Sequence, residues 1–170
     1  MKTIKLMVSV LVLMTIATTS NAQATASASA SATIVTPISI AKNVDMNFGN
    51  IAVTATAGTV VLGSDGTRTK TGGVTLPATV GTVTAASFLV SGQANYTYSI
   101  TLPSAAVVLT SSSNTMNATA FTSNIAATAG ALSSTGSQTL NVGATLSVAA
   151  SQPAGTYTTA TPFDVTVNYN

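Results

Sequence analysis

The sequence predicts an all-β protein, folded as a β-sandwich or barrel of short strands. Serine and threonine alternate with β-branched and other apolar residues in short runs that are separated by turn signals. Pro77, Pro103 and Pro153 lie at the ends of such runs, and no run shows a capped apolar pattern of helical period. Short strands at regular intervals are typical of sandwiches and barrels and not of alternating α/β folds.

The first 22 residues have the pattern of a secretory signal peptide. Lys2 and Lys5 supply the positive start, residues 6–16 form an apolar run, and small residues lead to a cleavage site after Ala22. Cleavage after Ala24 fits the same rule. The apolar run is too short to span a membrane as a helix. We therefore expect an exported protein without a transmembrane anchor.

The segment that follows, residues 23–33, alternates alanine with serine or threonine. Its apolar face continues to residue 34 and consists of Ala24, Ala26, Ala28, Ala30, Ala32 and Ile34. Two interpretations stay open: a flexible linker, or an extended donor strand that inserts into a neighbouring subunit. A buried methyl contributes only about 0.8 kcal/mol, so such a donor would depend on main-chain hydrogen bonds of about 1 kcal/mol each.

Residues 34–170 are predicted to form one sandwich domain. A turn is expected at residues 64–67, where Asp65 can bond the backbone and Gly66 can take a positive φ. The predicted strands are residues 32–40, 44–48, 58–62, 73–76, 82–90, 96–102, 106–110, 115–121, 138–149 and 157–169.

The last predicted strand has the clearest alternation in the chain. Its apolar face is Phe163, Val165, Val167 and Tyr169, and the residues between them are polar. This pattern predicts a half-buried strand. The strand is either an ordinary core strand or one whose edge receives a strand from a neighbouring molecule.

Charge and composition exclude several classes of function. Of five basic residues, Lys2 and Lys5 leave with the signal peptide, so three remain against three aspartates. A neutral mature chain lacks the basic surface that binds nucleic acid or anionic lipid. Little repulsion between copies permits self-association.

Catalysis also finds little support in the sequence. The chain has no histidine, glutamate or cysteine, so a general base, a thiolate nucleophile, a disulfide and a cysteine-ligated metal all lack their usual residues. There is no Gly-x-Ser-x-Gly element for an activated serine. We predict a protein that is not an enzyme, with no catalytic residues, metal or cofactor.

Five motifs carry a resemblance to a known family. They are residues 45–51 (DMNFGNI), 96–103 (YTYSITLP), 140–144 (LNVGA), 153–157 (PAGTY) and 165–169 (VTVNY). In this order they resemble the bacterial secreted family catalogued as domain of unknown function 4402, across nearly all of the mature chain. More loosely, the chain is similar to spore coat protein U and to pilin subunits of archaic chaperone-usher systems.

The resemblance to such pilins implies an immunoglobulin-like antiparallel β-sandwich that lacks its last strand and is completed by a donor strand. It places Phe163, Val165, Val167 and Tyr169 at the groove edge, with Tyr169 matching a penultimate tyrosine and Gly155 a glycine of these pilins. Residues 24–34 would be the donor. The chain departs from the pattern in lacking a disulfide, in a Gly155 farther from the terminus, and in a donor poor in large apolar residues.

The implied function is a structural subunit of a cell-surface fibre, such as a fimbria or pilus, or of a coat, assembling by donor-strand exchange. The implied partners are further copies of the chain, a periplasmic chaperone and an outer-membrane usher, and the implied route leads through the periplasm to the cell surface. The alternative is a monomeric secreted β-sandwich that binds a surface polysaccharide or another polymer.

Overall fold

The computed structural model describes residues 22–170, so the predicted signal peptide lies almost wholly outside the described residues. The described chain has thirteen β-strands and no helix, which confirms the predicted all-β, immunoglobulin-like sandwich. The strands are β1 (Ser39–Val44), β2 (Asn47–Phe48), β3 (Ala52–Leu62), β4 (Arg68–Thr75), β5 (Val83–Thr84), β6 (Ala86–Ser91), β7 (Thr97–Thr101), β8 (Val107–Ser111), β9 (Asn114–Ser123), β10 (Gly130–Ala131), β11 (Ser137–Val148), β12 (Thr158–Thr159) and β13 (Thr166–Tyr169).

The chain divides into a unit that ends at Ile34 and a second unit, Val35–Asn170, which holds all of these strands. In the first unit, residues 22–34 form no strand and their side chains are exposed.

The sandwich consists of one large and one small antiparallel sheet. The large sheet has the order β1-β6-β11-β9-β8-β12, and the β3–β4 hairpin also pairs with β11. The small sheet has the order β10-β7-β13, and β2 and β5 form a separate two-stranded ribbon.

The central strand β11 changes partner along its length. Its first half pairs with β6 and its second half pairs with β3, while its other edge pairs with β9. Gly143 lies where the partner changes, and a Cβ there would approach the Leu62 carbonyl oxygen to 2.1 Å. Only glycine admits such a close backbone approach.

Two groups of buried side chains form the core. The first lies between the sheets and includes Phe88 and Leu140 of the large sheet with Tyr98 and Val167 of the small one. The second consists of side chains from β3, β4, β9 and β11 of the large sheet with Phe48 of the β2–β5 ribbon, and none of its buried members in the described chain comes from the small sheet. The small sheet therefore covers only part of the large one.

The structure corrects several of the predicted strands. The segment 82–90 divides into β5 of the ribbon and β6 of the large sheet, and the segment 44–48 spans the end of β1 and β2. The segment 157–169 is not one strand, because β12 belongs to the large sheet and β13 to the small one. Pro162 lies in the connection, where it has no N–H to donate. The segment 32–40 is strand only from Ser39, just after Pro37.

The predicted turn at residues 64–67 is confirmed. A carboxylate oxygen of Asp65 accepts hydrogen bonds from the Thr67 hydroxyl at 2.7 Å and from the Thr67 amide at 3.0 Å. The hydroxyl, and then the amide, hold the pKa of Asp65 below its usual value. Gly66 has a φ of 82°, as the turn requires.

Candidate functional site

The last strand, β13, is paired along one edge only. Its partner is β7, in a register from Thr166 opposite Thr101 to Tyr169 opposite Tyr98. No other strand in the described chain pairs with β13. A strand directs its backbone N–H and C=O groups to both edges, so this edge offers hydrogen-bonding groups to an added strand.

A groove of about 930 Å³ lies beside the segment that leads into β13. One wall is formed by the end of β1 and by residues 45–53, and the other by residues 152–159 with Pro162 and Phe163. Its floor is the part of the large sheet that the small sheet leaves uncovered. The floor side chains are apolar: Val107, Leu109, Met116, Ala118, Phe121, Leu146 and Val148.

The groove carries no net charge. Of the described residues that line it, only Lys42 and Asp45 are charged, and their Nζ and Oδ1 atoms lie 2.7 Å apart in an exposed ion pair. Exposed pairs of this kind contribute little to stability. The groove therefore suits an uncharged apolar occupant, because a charged one would be buried without a partner.

Phe163 forms the end of the groove nearest β13. Its ring lies 5.0 Å from the ring of Phe121 and 6.5 Å from that of Phe88, centroid to centroid. Phe121 packs against both core groups. The three rings thus form an aromatic cluster where the covered part of the large sheet meets the uncovered part.

The wall at residues 45–53 is held by Arg68, a residue that sequence reasoning did not single out. Its guanidinium donates hydrogen bonds to the carbonyl oxygens of Phe48 and Asn50. Between them, Gly49 has a φ of 67°, and a Cβ there would meet the Val80 carbonyl oxygen at 2.4 Å. A lone arginine offers no spacing signal, so only the structure identifies this clamp.

The opposite wall is tied to β9 through Gln152, whose side chain also bonds Tyr157. The Tyr157 hydroxyl donates to the Pro153 carbonyl oxygen at 2.8 Å and accepts from the Gln152 side-chain nitrogen at 2.9 Å. The same nitrogen donates to the Thr115 carbonyl oxygen at 3.1 Å. Gly155 lies within this loop, where a Cβ would meet the Ser111 hydroxyl at 2.5 Å.

The four predicted residues of the last strand share one face, but they do not share one site. Phe163 lines the groove, whereas Val165 and Val167 are buried in the core between the sheets. Tyr169 lies at the other end of β13. Its hydroxyl accepts from the Gln93 amide at 2.6 Å and donates to the Thr36 carbonyl oxygen at 2.8 Å.

The predicted donor residues lie in the unit that ends at Ile34. All six side chains of the predicted apolar face are exposed, and Ile34 is 97% exposed. Their role as a donor strand stays a prediction.

Comparison with known proteins gives one result. A family model described as "Domain of unknown function (DUF4402)" matches residues 38–169. Searches of curated proteins and of solved structures gave no match. Within residues 22–170, no helix has the length and hydropathy needed to cross a bilayer. Because the family match extends over the whole second unit except its first three and last residues, the chain belongs to the DUF4402 family.

Proposed function

We propose that the protein is an exported structural subunit of a cell-surface fibre or coat, and that it assembles by strand donation between copies. Residues 24–34 of one copy would occupy the groove of the next and pair with the free edge of β13. One observation carries the proposal: the apolar floor of the large sheet, which the small sheet does not cover, faces a groove beside the segment that leads into a strand with no second partner in the described chain. A sandwich one strand short has this form.

The length and charge of the segment support this occupant. Its eleven residues carry no charge, as the groove requires. Fully extended, they would span about 36 Å at 3.3 Å per residue, which is longer than an ordinary strand. A donor of alanines derives most of its binding energy from main-chain hydrogen bonds, at about 1 kcal/mol each, so a long ladder is an advantage.

Before assembly, the uncovered groove is an aggregation risk. Its floor side chains are buried or half-buried, but the unpaired edge of β13 and the accessible apolar groove promote non-specific pairing between chains. The proposal therefore includes a periplasmic chaperone that covers the groove and an outer-membrane usher that receives the subunit. Both are partners of the proposed pathway.

The test compares the two faces of the donor segment. The mature protein, a version without residues 23–33, and the variants Ala28→Asp and Ser29→Asp are run on gels in detergent, unheated and heated. We expect a heat-sensitive ladder from the mature protein and from Ser29→Asp. The deletion and Ala28→Asp should give monomers, because a carboxylate on the apolar face would have to enter the uncharged groove.

Two outcomes would contradict the proposal. If Ala28→Asp and Ser29→Asp behave alike, the apolar face of the segment does not determine assembly. If every version runs as a protease-resistant monomer, the sandwich is complete without a donor. The monomeric module that binds a surface polysaccharide would then replace the fibre subunit as the function.

A further inference from the structure

Two free strand edges, one in each sheet, lie on the same side of the sandwich. β1 pairs only with β6 and β13 only with β7 among the described strands. β1 and β13 are also in contact with each other. The region along the free edge of β13, here called the slot, is where a strand added to β13 would lie.

The two ends of the slot differ. At one end, the Tyr169 side chain reaches from β13 to the residues before β1, where its hydroxyl donates to the Thr36 carbonyl oxygen at 2.8 Å. At the other end, Lys42 and Val44 of β1 and Phe163 before β13 line the walls of the groove. A side chain therefore bridges the two edges at the Tyr169 end, whereas the Phe163 end opens onto the groove.

Several contacts hold the Tyr169 side chain in this position. The hydroxyl also accepts from the Gln93 amide at 2.6 Å, and the ring packs on Tyr96 with the ring centroids 5.6 Å apart. Gly92 leaves the space for it, since a Cβ at that position would lie 2.2 Å from the Tyr169 hydroxyl oxygen. Both hydrogen bonds go to backbone groups, so they fix the position of the chain itself.

We propose that Tyr169 is a positioning residue that closes one end of the slot and thereby directs strand insertion to other molecules. This inference rests on the proposed function. The sandwich unit begins at Val35, next to the closed end. The chain's own preceding segment would have to enter the slot past the Tyr169 contact, whereas a segment from another copy can enter at the Phe163 end.

Insertion into other molecules gives the assembly a direction, from donor to acceptor. A donor that enters the open end of another copy makes a contact between two different surfaces, and such contacts repeat into an open chain. Self-insertion would instead give a closed monomer. Tyr169 would thus select the fibre over the monomer without contributing to the groove.

The chain has no cysteine, so introduced thiols report insertion cleanly. A protein with both Ser29→Cys and Thr156→Cys, the second at the exposed rim of the groove, is treated with a short bis-maleimide and run on heated gels. Links between chains give a ladder, and links within a chain give a fast-migrating monomer. We expect ladders in the otherwise unchanged protein and a several-fold rise of the linked monomer after Tyr169→Phe.

The matched control is Tyr96→Phe, which removes a hydroxyl that has no hydrogen-bond partner within residues 22–170 and keeps the ring that packs on Tyr169. It should leave the ladder unchanged. If Tyr169→Phe does not fold, Gly92→Ala displaces the same hydroxyl by a steric contact, and the same rise is expected.

Three results would overturn the inference. If Tyr169→Phe folds and its ladder is unchanged, Tyr169 does not determine whether a strand inserts into its own or another molecule. The fibre proposal would be unaffected by that result. If the protein with an unaltered Tyr169 already gives mostly linked monomer, Tyr169 does not prevent insertion within the chain, whether or not the variants fold. If no version links residue 29 to residue 156, strand donation itself fails.

Discussion

At the residue scale, the buried tyrosine of the core should make the protein less stable at alkaline pH. Tyr98 is fully buried and donates its hydroxyl to the Gln138 side-chain oxygen at 2.7 Å. Burial raises the pKa of Tyr98, because the phenolate would be desolvated. The stabilisation is complete below the unfolded value of about 10 and is lost as the pH rises beyond it toward the folded pKa.

We expect Tyr98→Phe to remove this dependence. The free energy of unfolding should fall by about 1 kcal/mol at neutral pH, the usual net value of one hydrogen bond. The Gln138 oxygen keeps its bond from the Ala131 amide at 3.0 Å, so it is not left unpaired. Urea unfolding at neutral pH and above pH 10 measures both effects. Tyr96→Phe should retain the alkaline loss, and equal alkaline loss in both variants would contradict the assignment to Tyr98.

Arg68, on β4, stabilises a segment outside its own strand. Its guanidinium bonds two carbonyl oxygens of one groove wall, and hydrogen bonds to charged groups contribute about 1.5–3 kcal/mol each. We expect Arg68→Met to lower the free energy of unfolding by about that amount in total, since part of the loss is regained by hydration.

Lys70→Met on the same strand is the control for Arg68. It removes the same charge from an exposed position and should change stability by less than about 0.5 kcal/mol. Urea unfolding of both variants makes the comparison. Equal stability of the two variants would mean that the clamp does not hold the wall.

At the scale of the element, the alternation from Phe163 to Tyr169 was sufficient to predict which side chains face inward. Val165 and Val167 are buried, while Asp164, Thr166 and Asn168 are exposed. The division into β12 and β13 could not be predicted, because it depends on which sheet each segment joins. Period-2 patterns describe a face and contain no information about the partner strand.

The aromatic cluster at the groove gives a test at this scale. We expect Phe163→Ala to lower the free energy of unfolding by about 1–3 kcal/mol, below the 3–5 kcal/mol of a fully buried phenylalanine, because Phe163 is only partly buried. The same variant should weaken the heat-sensitive ladder, since it removes one end of the groove.

Asp164→Ala is the matched control, because Asp164 is exposed on the opposite face. Urea unfolding and unheated gels are run for both variants. If Asp164→Ala also loses the ladder, assembly responds to any change near β13. The result for Phe163→Ala would then be no evidence that the groove takes part in assembly.

At the scale of the whole molecule, the all-β class followed from short alternating runs separated by turn signals, and the family followed from motifs distributed along the chain. The match to residues 38–169 confirms the family. The groove did not follow from the residues alone. It exists because the small sheet is too narrow to cover the large one, and sheet width is set by the pairing of strands distant in sequence. The resemblance to pilins supplied the expectation of a groove and of the residues at its edge, and of those four residues only Phe163 lines the groove.

The apolar groove floor gives the fibre proposal a spectroscopic test. The version without residues 23–33 should bind a fluorescent apolar dye such as ANS at the groove. Protein assembled as proposed should bind several-fold less, because the donor would cover the floor. Dye titrations at equal subunit concentration measure this. Equal binding by both forms would show that the groove stays open after assembly.

The change of partner within β11 has a consequence for how the molecule comes apart. One continuous strand contributes Leu140 and Val142 to the core between the sheets and Leu146 and Val148 to the core beneath the groove. Neither region can lose its structure while the other keeps an intact β11, so the two should melt in a single cooperative transition. The amide protons near Gly143 should then be among the last to exchange with solvent, and tension along a fibre would be borne by both cores together.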